Sequence, residues 1–445
     1  MSIQIFIPSS PYLDDPLTNV PLGPLYVAAS VRNLGHEVVV TSLLADAISY
    51  DDEMMNADLF MIGFSTPQFD EAVKICHYIK RIKSPNAIVI AGGPHPTVRS
   101  AETIRAGFDS VIIGEAEGVL KDILAGIGSG SDPEAIYRGD LVHDLDAIPF
   151  PSRDLLIESH VRNDEEAVMK RLYSGQGVVS LMCTRGCPYN CAFCSNPVMS
   201  RIMRRRSPDN VMDEIAWVID SLGVTSFKIQ DDTFTLDKSY VKELSEASQS
   251  RFGDKVTYRL NTRVNCFDEE VAGYLLDMNA VLVAFGFESG SQRVLDNVNK
   301  KITIEQSINA AKIAKGMGFD SVIGLMMFGL PGECRETIDE YKDFLTKIRP
   351  HVDVMNLATT IPYPGSPIGD NPSSFNCEIL SSDYSRYWIV NQDDILLLPD
   401  TISSIEEYKA LRIELFRHMI KLGWVKEEWK SDAIAWLLEE DNESG

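Results

Sequence analysis

Short β-branched runs alternate with stretches of helical periodicity along the first 130 residues. Ile3–Pro8, Glu37–Leu43, Asp58–Ser65, Ala87–Ala91 and Ser110–Ile113 have the length and composition of strands. Between them Leu22–Leu34 (ended by Gly35), Phe69–Ile82 and Ala116–Ile127 repeat apolar residues at helix spacing. Turn and linker signals follow at Gly128–Pro133 and Ile148–Ser152. A second series starts near Val178, with strands expected at Val178–Cys183, Ser226–Gln230, Val256–Asn261, Leu282–Phe287, Ser321–Phe328 and Val352–Ala358. Ser207–Leu222 and Ser239–Phe252 are helical between them. Residues 376–445 carry Tyr384, Tyr387, Trp388, Trp424, Trp429 and Trp436 and read as mostly helical.

Strands alternating with helices predict parallel sheets covered on both faces, hence an α/β protein. Residues 1–140 are expected to form a doubly wound, Rossmann-like or flavodoxin-like domain, whose ligands sit at the carboxyl ends of its strands. Residues 141–175 are a linker. Residues 176–375, with six strands, predict a partial (β/α)6 barrel of TIM type, again with its chemistry at the strands' carboxyl ends. Residues 376–445 form a helical C-terminal segment.

The 445 residues suffice for two or three domains, and 44% hydrophobic content is enough to bury ordinary cores. With 41 basic against 65 acidic side chains the formal charge is −24, which repels phosphate backbones and anionic headgroups and argues against nucleic acid as a partner. No run approaches the ~20 apolar residues of a membrane span, and the start lacks a signal peptide's basic and apolar regions. A cytoplasmic protein is therefore expected. Four of the eight cysteines, Cys183, Cys187, Cys191 and Cys194, lie within twelve positions, which in a reducing compartment points to metal ligation before disulfides.

Cys187-Pro-Tyr-Asn-Cys191-Ala-Phe-Cys194 is a C-x3-C-x2-C loop just after the first strand of the second series. Three close thiolates can hold three corners of a cubane iron–sulfur cluster and leave one iron open; zinc normally needs a fourth ligand, which the spacing does not offer. Cys183, in the strand itself, reads as a buried apolar residue, and Cys334 as a loop thiol. On these cysteines, on Phe193 before the last of them and on their place after the strand, the chain resembles the radical S-adenosylmethionine (SAM) superfamily. The resemblance implies a [4Fe–4S] cluster on Cys187, Cys191 and Cys194, with the methionyl amine and carboxylate of SAM on the open iron. It also implies reductive cleavage to a 5′-deoxyadenosyl radical.

Further motifs end the later strands: Asp231-Asp232, Asn261-Thr-Arg263, Gly286-Phe-Glu-Ser-Gly290, Gly329-Leu-Pro-Gly-Glu333 and Pro362-Tyr-Pro-Gly365. They look like the family's nucleotide-binding ends, which would put Asp231, Glu288 and Ser289 at the nucleotide, the latter two near ribose, and Arg263 near the carboxylate. A guanidinium fork suits a carboxylate, and an acidic side chain suits ribose hydroxyls. The cluster Arg201, Arg204, Arg205 and Arg206 reads as a solvated or salt-bridged face, with help to an anionic ligand as the alternative.

The first domain resembles the cobalamin-binding domain that precedes one class of these enzymes. The matching pieces are Pro21-Leu-Gly23, Gly63-Phe-Ser65-Thr66, Gly92-Gly93-Pro94-His95 and Gly114-Glu115-Ala-Glu117. None of the seven histidines stands in an Asp-x-His-x-x-Gly motif, so His95 is not expected to be the usual cobalt ligand. The similar tRNA methylthiotransferases carry further N-terminal cysteines, and here only Cys76 lies upstream of Cys183. The resemblance implies a cobalamin-dependent radical SAM enzyme acting on a small molecule. It would methylate an unactivated carbon through methylcobalamin, with electrons from a flavodoxin or ferredoxin. Non-methylating rearrangement, cyclisation or ring contraction, with or without cobalamin, is the alternative.

Overall fold

A computed structural model describes residues 1–9, 21–43, 56–83, 85–155, 177–388 and 394–424. In the N-terminal part β1 (Ser2–Pro8), β2 (Glu37–Leu43), β3 (Leu59–Gly63), β4 (Val89–Gly92), β5 (Ser110–Gly114) and β6 (Ile136–Gly139) form one sheet in the order β2-β1-β3-β4-β5-β6. Every pairing in it is parallel. The sequence of β1 explains its central place. Ile3, Ile5 and Ile7 feed the core under the helices Leu22–Asn33 and Leu120–Gly128, while Phe6 packs on the opposite face with Ile75 and Ile79 of the helix Phe69–Ile82. That helix buries Ala72, Ile75, Cys76 and Ile79, the i, i+3, i+4, i+7 stripe read from the sequence.

The walk along the sheet reverses at β1, which pairs with β2 on one side and β3 on the other. Such a reversal opens a crevice at the strands' carboxyl ends, beside Pro8, Gly63 and Gly92. β6 was not expected from the sequence. It is a four-residue edge strand on which Ile136 is 38% exposed, so it lacks the apolar run that marks an inner strand. The helix expected at Ala116–Ile127 begins only at Leu120, after a single 3-10 turn.

The second sheet contains β7 (Val178–Leu181), β10 (Ser226–Ile229), β11 (Thr257–Thr262), β12 (Ala280–Glu288), β13 (Ser321–Phe328) and β14 (Val354–Thr359), in that order across the sheet. The pairs β11–β12, β12–β13 and β13–β14 are parallel, as the partial barrel requires. Between β7 and β10, two-residue strands β8 (Thr184–Arg185) and β9 (Arg204–Arg205) pair antiparallel and bracket the cysteine loop. In the C-terminal part a small antiparallel pair, β15 (Cys377–Ile379) and β16 (Leu397–Pro399), precedes the helix Ile405–Lys421. The expected helical segment thus includes a hairpin-like element; Trp429 and Trp436 lie outside the described residues.

Packing divides the chain into two compact units. Among the described residues the first takes those within 1–188, 196–228 and 383–388, and the second those within 189–195, 229–382 and from 394 on. In the first unit a buried ionic knot forms on the helix Pro208–Leu222. Glu214 is fully buried and pairs with Arg153 at 2.6 Å and with Arg206, whose Nη1 also donates to the Met182 carbonyl. The first unit also holds Tyr384 and Tyr387, far from it in sequence. In the second unit Phe285, Phe287, Phe328 and Phe344 form the inner core, and Arg335 and Lys342 of the helix Arg335–Ile348 both pair with Glu414 of the C-terminal helix. No helix among the described residues is long and apolar enough to cross a membrane.

Candidate functional site

The cysteine loop starts at Gly186, whose φ is +96° and whose Cβ would stand 2.3 Å from the Ile202 carbonyl oxygen, so only glycine turns the chain here. The Cys187 amide donates to the Ser200 carbonyl at 3.1 Å. Later in the loop the Ala192 amide donates to Val298, the Ala192 carbonyl accepts from Ile368, and the Cys194 amide donates to Cys191. Backbone bonds therefore fix where the thiols stand. Cys187 and Cys191 are buried and Cys194 is half-buried, none of them in a disulfide.

Arg263, after β11, stands directly on this loop. Its Nη1 donates to Cys191 Sγ at 3.2 Å, and its guanidinium carbon lies 3.7 Å over the ring of Tyr189. Nε donates to Asn265 Oδ1 at 3.2 Å, and Nη2 to the Lys300 carbonyl. The donor set fits an iron–sulfur cluster: three cysteines on one loop, with a fixed cation donating to one of the sulfurs. Among the described residues no three His, Cys, Asp or Glu side chains converge as they would on a single ion.

At the end of β12 the register with β13 breaks between Gly286 and Glu288, and Glu288 takes a left-handed φ of +63°. Its Oε1 meets Lys300 Nζ at 2.6 Å, and that ammonium lies 5.7 Å from the Phe193 ring centre. Phe193, Arg263, Glu288 and Lys300 thus form one connected group in the second unit. Ser289 is fully buried, and its Oγ accepts from the Ser291 amide at 3.1 Å. Asp231 is buried after β10.

Lys300 and the pair Glu333–Tyr341 are the residues that sequence reasoning did not assign. Glu333 is fully buried, accepting from the Gly329 amide at 2.6 Å and facing the Tyr341 hydroxyl at 3.1 Å. Burial pushes its carboxyl up to about 8 against the pull of those bonds. The Tyr341 hydroxyl also reaches the carbonyls of Glu288, at 3.0 Å, and Met327. The Gly-Leu-Pro-Gly-Glu turn was the available signal for Glu333; nothing in the sequence links Lys300 to Glu288.

In the first unit Gly63 and Gly92 are paired at the ends of β3 and β4. A Cβ on Gly23 or Gly92 would meet nothing within 4 Å, whereas on Gly93 (φ +105°) it would press on the Phe64 carbonyl at 2.8 Å. Gly93 serves the turn, and Gly23 and Gly92 leave open surface that suits the close approach of a flat ligand. Ser65 caps the following turn through Gln68, Thr66 Oγ1 lies 3.2 Å from His95 Nδ1, and Pro94 opens a short helix. His95 is fully buried among the rings of Phe69, Tyr384 and Phe64, at 4.6, 5.1 and 5.8 Å between centres. Burial lowers its pKa to about 4, so the imidazole is neutral, and Nε2 has no hydrogen-bond partner. The open glycines and this orphaned nitrogen are compatible with a cobalamin-type ligand at the strand ends.

Gly114 has a φ of +83° and ends β5. The two carboxylates after it are held by arginines: Glu115 takes both Nη atoms of Arg204 at 2.7 Å and the Val142 amide at 2.9 Å, and Glu117 takes Arg185 at 2.8 Å. Burial would raise the Glu115 carboxyl, but these bonds and the charges of Arg185 and Arg204 outweigh it and hold it low. Arg204 and Arg206 are thus buried in ion pairs, the salt-bridged reading of the basic cluster.

Residues 16–124 match the family model of the B12 binding domain, and residues 181–345 match that of the radical SAM superfamily. The fold is that of TsrM, a radical SAM methyltransferase from Kitasatospora setae solved with cobalamin and a [4Fe–4S] cluster, with a TM-score of 0.70, 15% identity and coverage of 96% of this chain and 89% of that one. An uncharacterized methyltransferase of Pyrococcus horikoshii is 29% identical over 84% of this chain and 83% of its own. Cytidylyl-2-hydroxyethylphosphonate methyltransferase of Streptomyces wedmorensis is 27% identical over 74% of this chain and 72% of its own. The fold and the cysteine loop define a radical SAM enzyme. A B12-binding domain stands ahead of that loop, and the cofactors that the two domains imply are a [4Fe–4S] cluster, SAM and cobalamin.

Proposed function

We propose that the enzyme methylates an unactivated carbon of a small molecule. The observation that carries this reading is the likeness, over 84% of this chain and 83% of the other, to a relative named as a methyltransferase. When bound, the cluster supplies the electron that cleaves SAM, and cobalamin supplies the carrier of the methyl group. Cys187, Cys191 and Cys194 are the cluster ligands. Phe193, Asp231, Glu288 and Ser289 line the nucleotide, with Lys300 holding the Glu288 carboxylate in place. Gly23, Ser65, Thr66, Gly92, Gly93, Pro94 and Gly114 form the cobalamin surface. His95, Glu115 and Glu117 shape that surface from within, through their contacts with Thr66, Arg204 and Arg185. A flavodoxin or ferredoxin is the electron donor.

The test is anaerobic purification with cobalamin supplied, analysis for iron and cobalt, and incubation of candidate acceptors with methyl-labelled SAM and a reductant. Label in a product carbon, and its loss together with iron in Cys191→Ala, is the expected result. Iron without cobalt after reconstitution with excess cobalamin, or cleavage of SAM unchanged in Cys191→Ala, refutes the reading.

A further inference from the structure

Arg263 has the geometry of an electrostatic control on the cluster. Its guanidinium is fixed on every side: stacked on Tyr189, bonded to Asn265 and the Lys300 carbonyl, and donating through Nη1 to Cys191 Sγ at 3.2 Å. It is only 7% exposed, so solvent screens its charge weakly. Two of its nitrogens are committed to protein oxygens and the third to the thiol. These bonds use three of its five N–H groups.

A cation that donates a hydrogen bond to a ligand sulfur stabilises added negative charge on the cluster, because donors to the sulfurs and nearby positive charge both raise its reduction potential. We infer that Arg263 sets the potential of the cluster by donating to Cys191, and does so before any nucleotide binds. Reduction adds one electron to the cluster from an external reductant and transfers no proton to Arg263, which stays protonated throughout. The Tyr189 ring, five residues from Cys194 within the same loop, holds the guanidinium plane on the sulfur. The inference rests on the cluster assignment made above.

The experiment is a redox titration of the reconstituted full-length enzyme in the absence of SAM, followed by electron paramagnetic resonance, for wild type, Arg263→Lys and Arg263→Gln. Iron and sulfide content and SAM affinity are measured on the same samples. A hydrogen bond to a charged group is worth about 1.5–3 kcal/mol, so Arg263→Gln is expected to lower the reduced-to-oxidised ratio at a fixed potential by at least about tenfold. At about 59 mV per tenfold for one electron, the midpoint falls by about 60 mV or more. Arg263→Lys keeps the charge and loses the fork, and is expected to fall between the two.

Unchanged midpoints with full iron content overturn the inference. If SAM affinity then drops instead, Arg263 is a carboxylate clamp. Loss of iron from both variants also overturns it, in favour of a purely structural arginine. Absence of iron from the wild type fails the cluster assignment itself, and the inference falls with it.

Discussion

Replacing Glu333 by Gln tests how the turn after β13 is held. Glu333 Oε2 accepts from the Gly329 amide, and Oε1 faces the Tyr341 hydroxyl, which has one proton and four oxygens around it: Glu288 O, Met327 O, Glu333 Oε1 and the Ser289 hydroxyl. If the carboxyl carries a proton, Oε1–H donates to Tyr341 and the Tyr341 proton is released to a carbonyl, so all groups are satisfied. Gln reproduces that pattern, with its amide nitrogen in place of the protonated oxygen. The titratable groups coupled to Glu333 are Tyr341, Tyr408 and Cys377, and no cation is among the groups that shift it.

The folded carboxyl lies at about 8 against an ordinary 4.5, so the stability it contributes is full below about 4.5 and is lost as pH rises through 8. At about 1.4 kcal/mol per tenfold, wild type should lose about 4 kcal/mol relative to Glu333→Gln between pH 5 and 9. Urea unfolding followed by circular dichroism across that range reads the difference as a diverging pair of midpoints. A constant offset between the two proteins, or a wild type that loses ground toward acid instead, would refute the argument.

Two further outcomes concern the first unit. Arg204→Ala leaves Glu115 buried with only Arg185 and the Val142 amide to satisfy it, so a loss of about 3–5 kcal/mol is expected in urea unfolding; a loss under about 1 kcal/mol would mean that the pair is effectively solvated. For His95 the folded pKa of about 4 lies below the ordinary 6.5, so its contribution is present above 6.5 and is lost as pH falls toward 4. His95→Phe, which fills the aromatic box without titrating, should escape about 2 kcal/mol of the wild-type loss between pH 7.5 and 5. Equal acid sensitivity of the two proteins would show that the imidazole is already charged in the fold.

Most of the strand series was legible because buried parallel strands are short apolar runs, and β1, β3 and β13 are of that kind. β6 was missed because an edge strand needs no such run, and the helices Pro94–Val98 and Ser100–Arg105 because they are too short to show a period. At the site, the sequence named Arg263 and Glu288 as residues to watch. It could not name their partners.

Features close along the chain are readable in its residues: the three cysteines of one loop and the alternation that makes two α/β series. Which distant groups meet is a matter of packing. Arg263 reaches Cys191 across 72 positions and Arg204 reaches Glu115 across 89. The physical reason is that spacing within a loop is set by local backbone geometry, whereas contacts between strand ends depend on sheet order and packing, which no local pattern encodes.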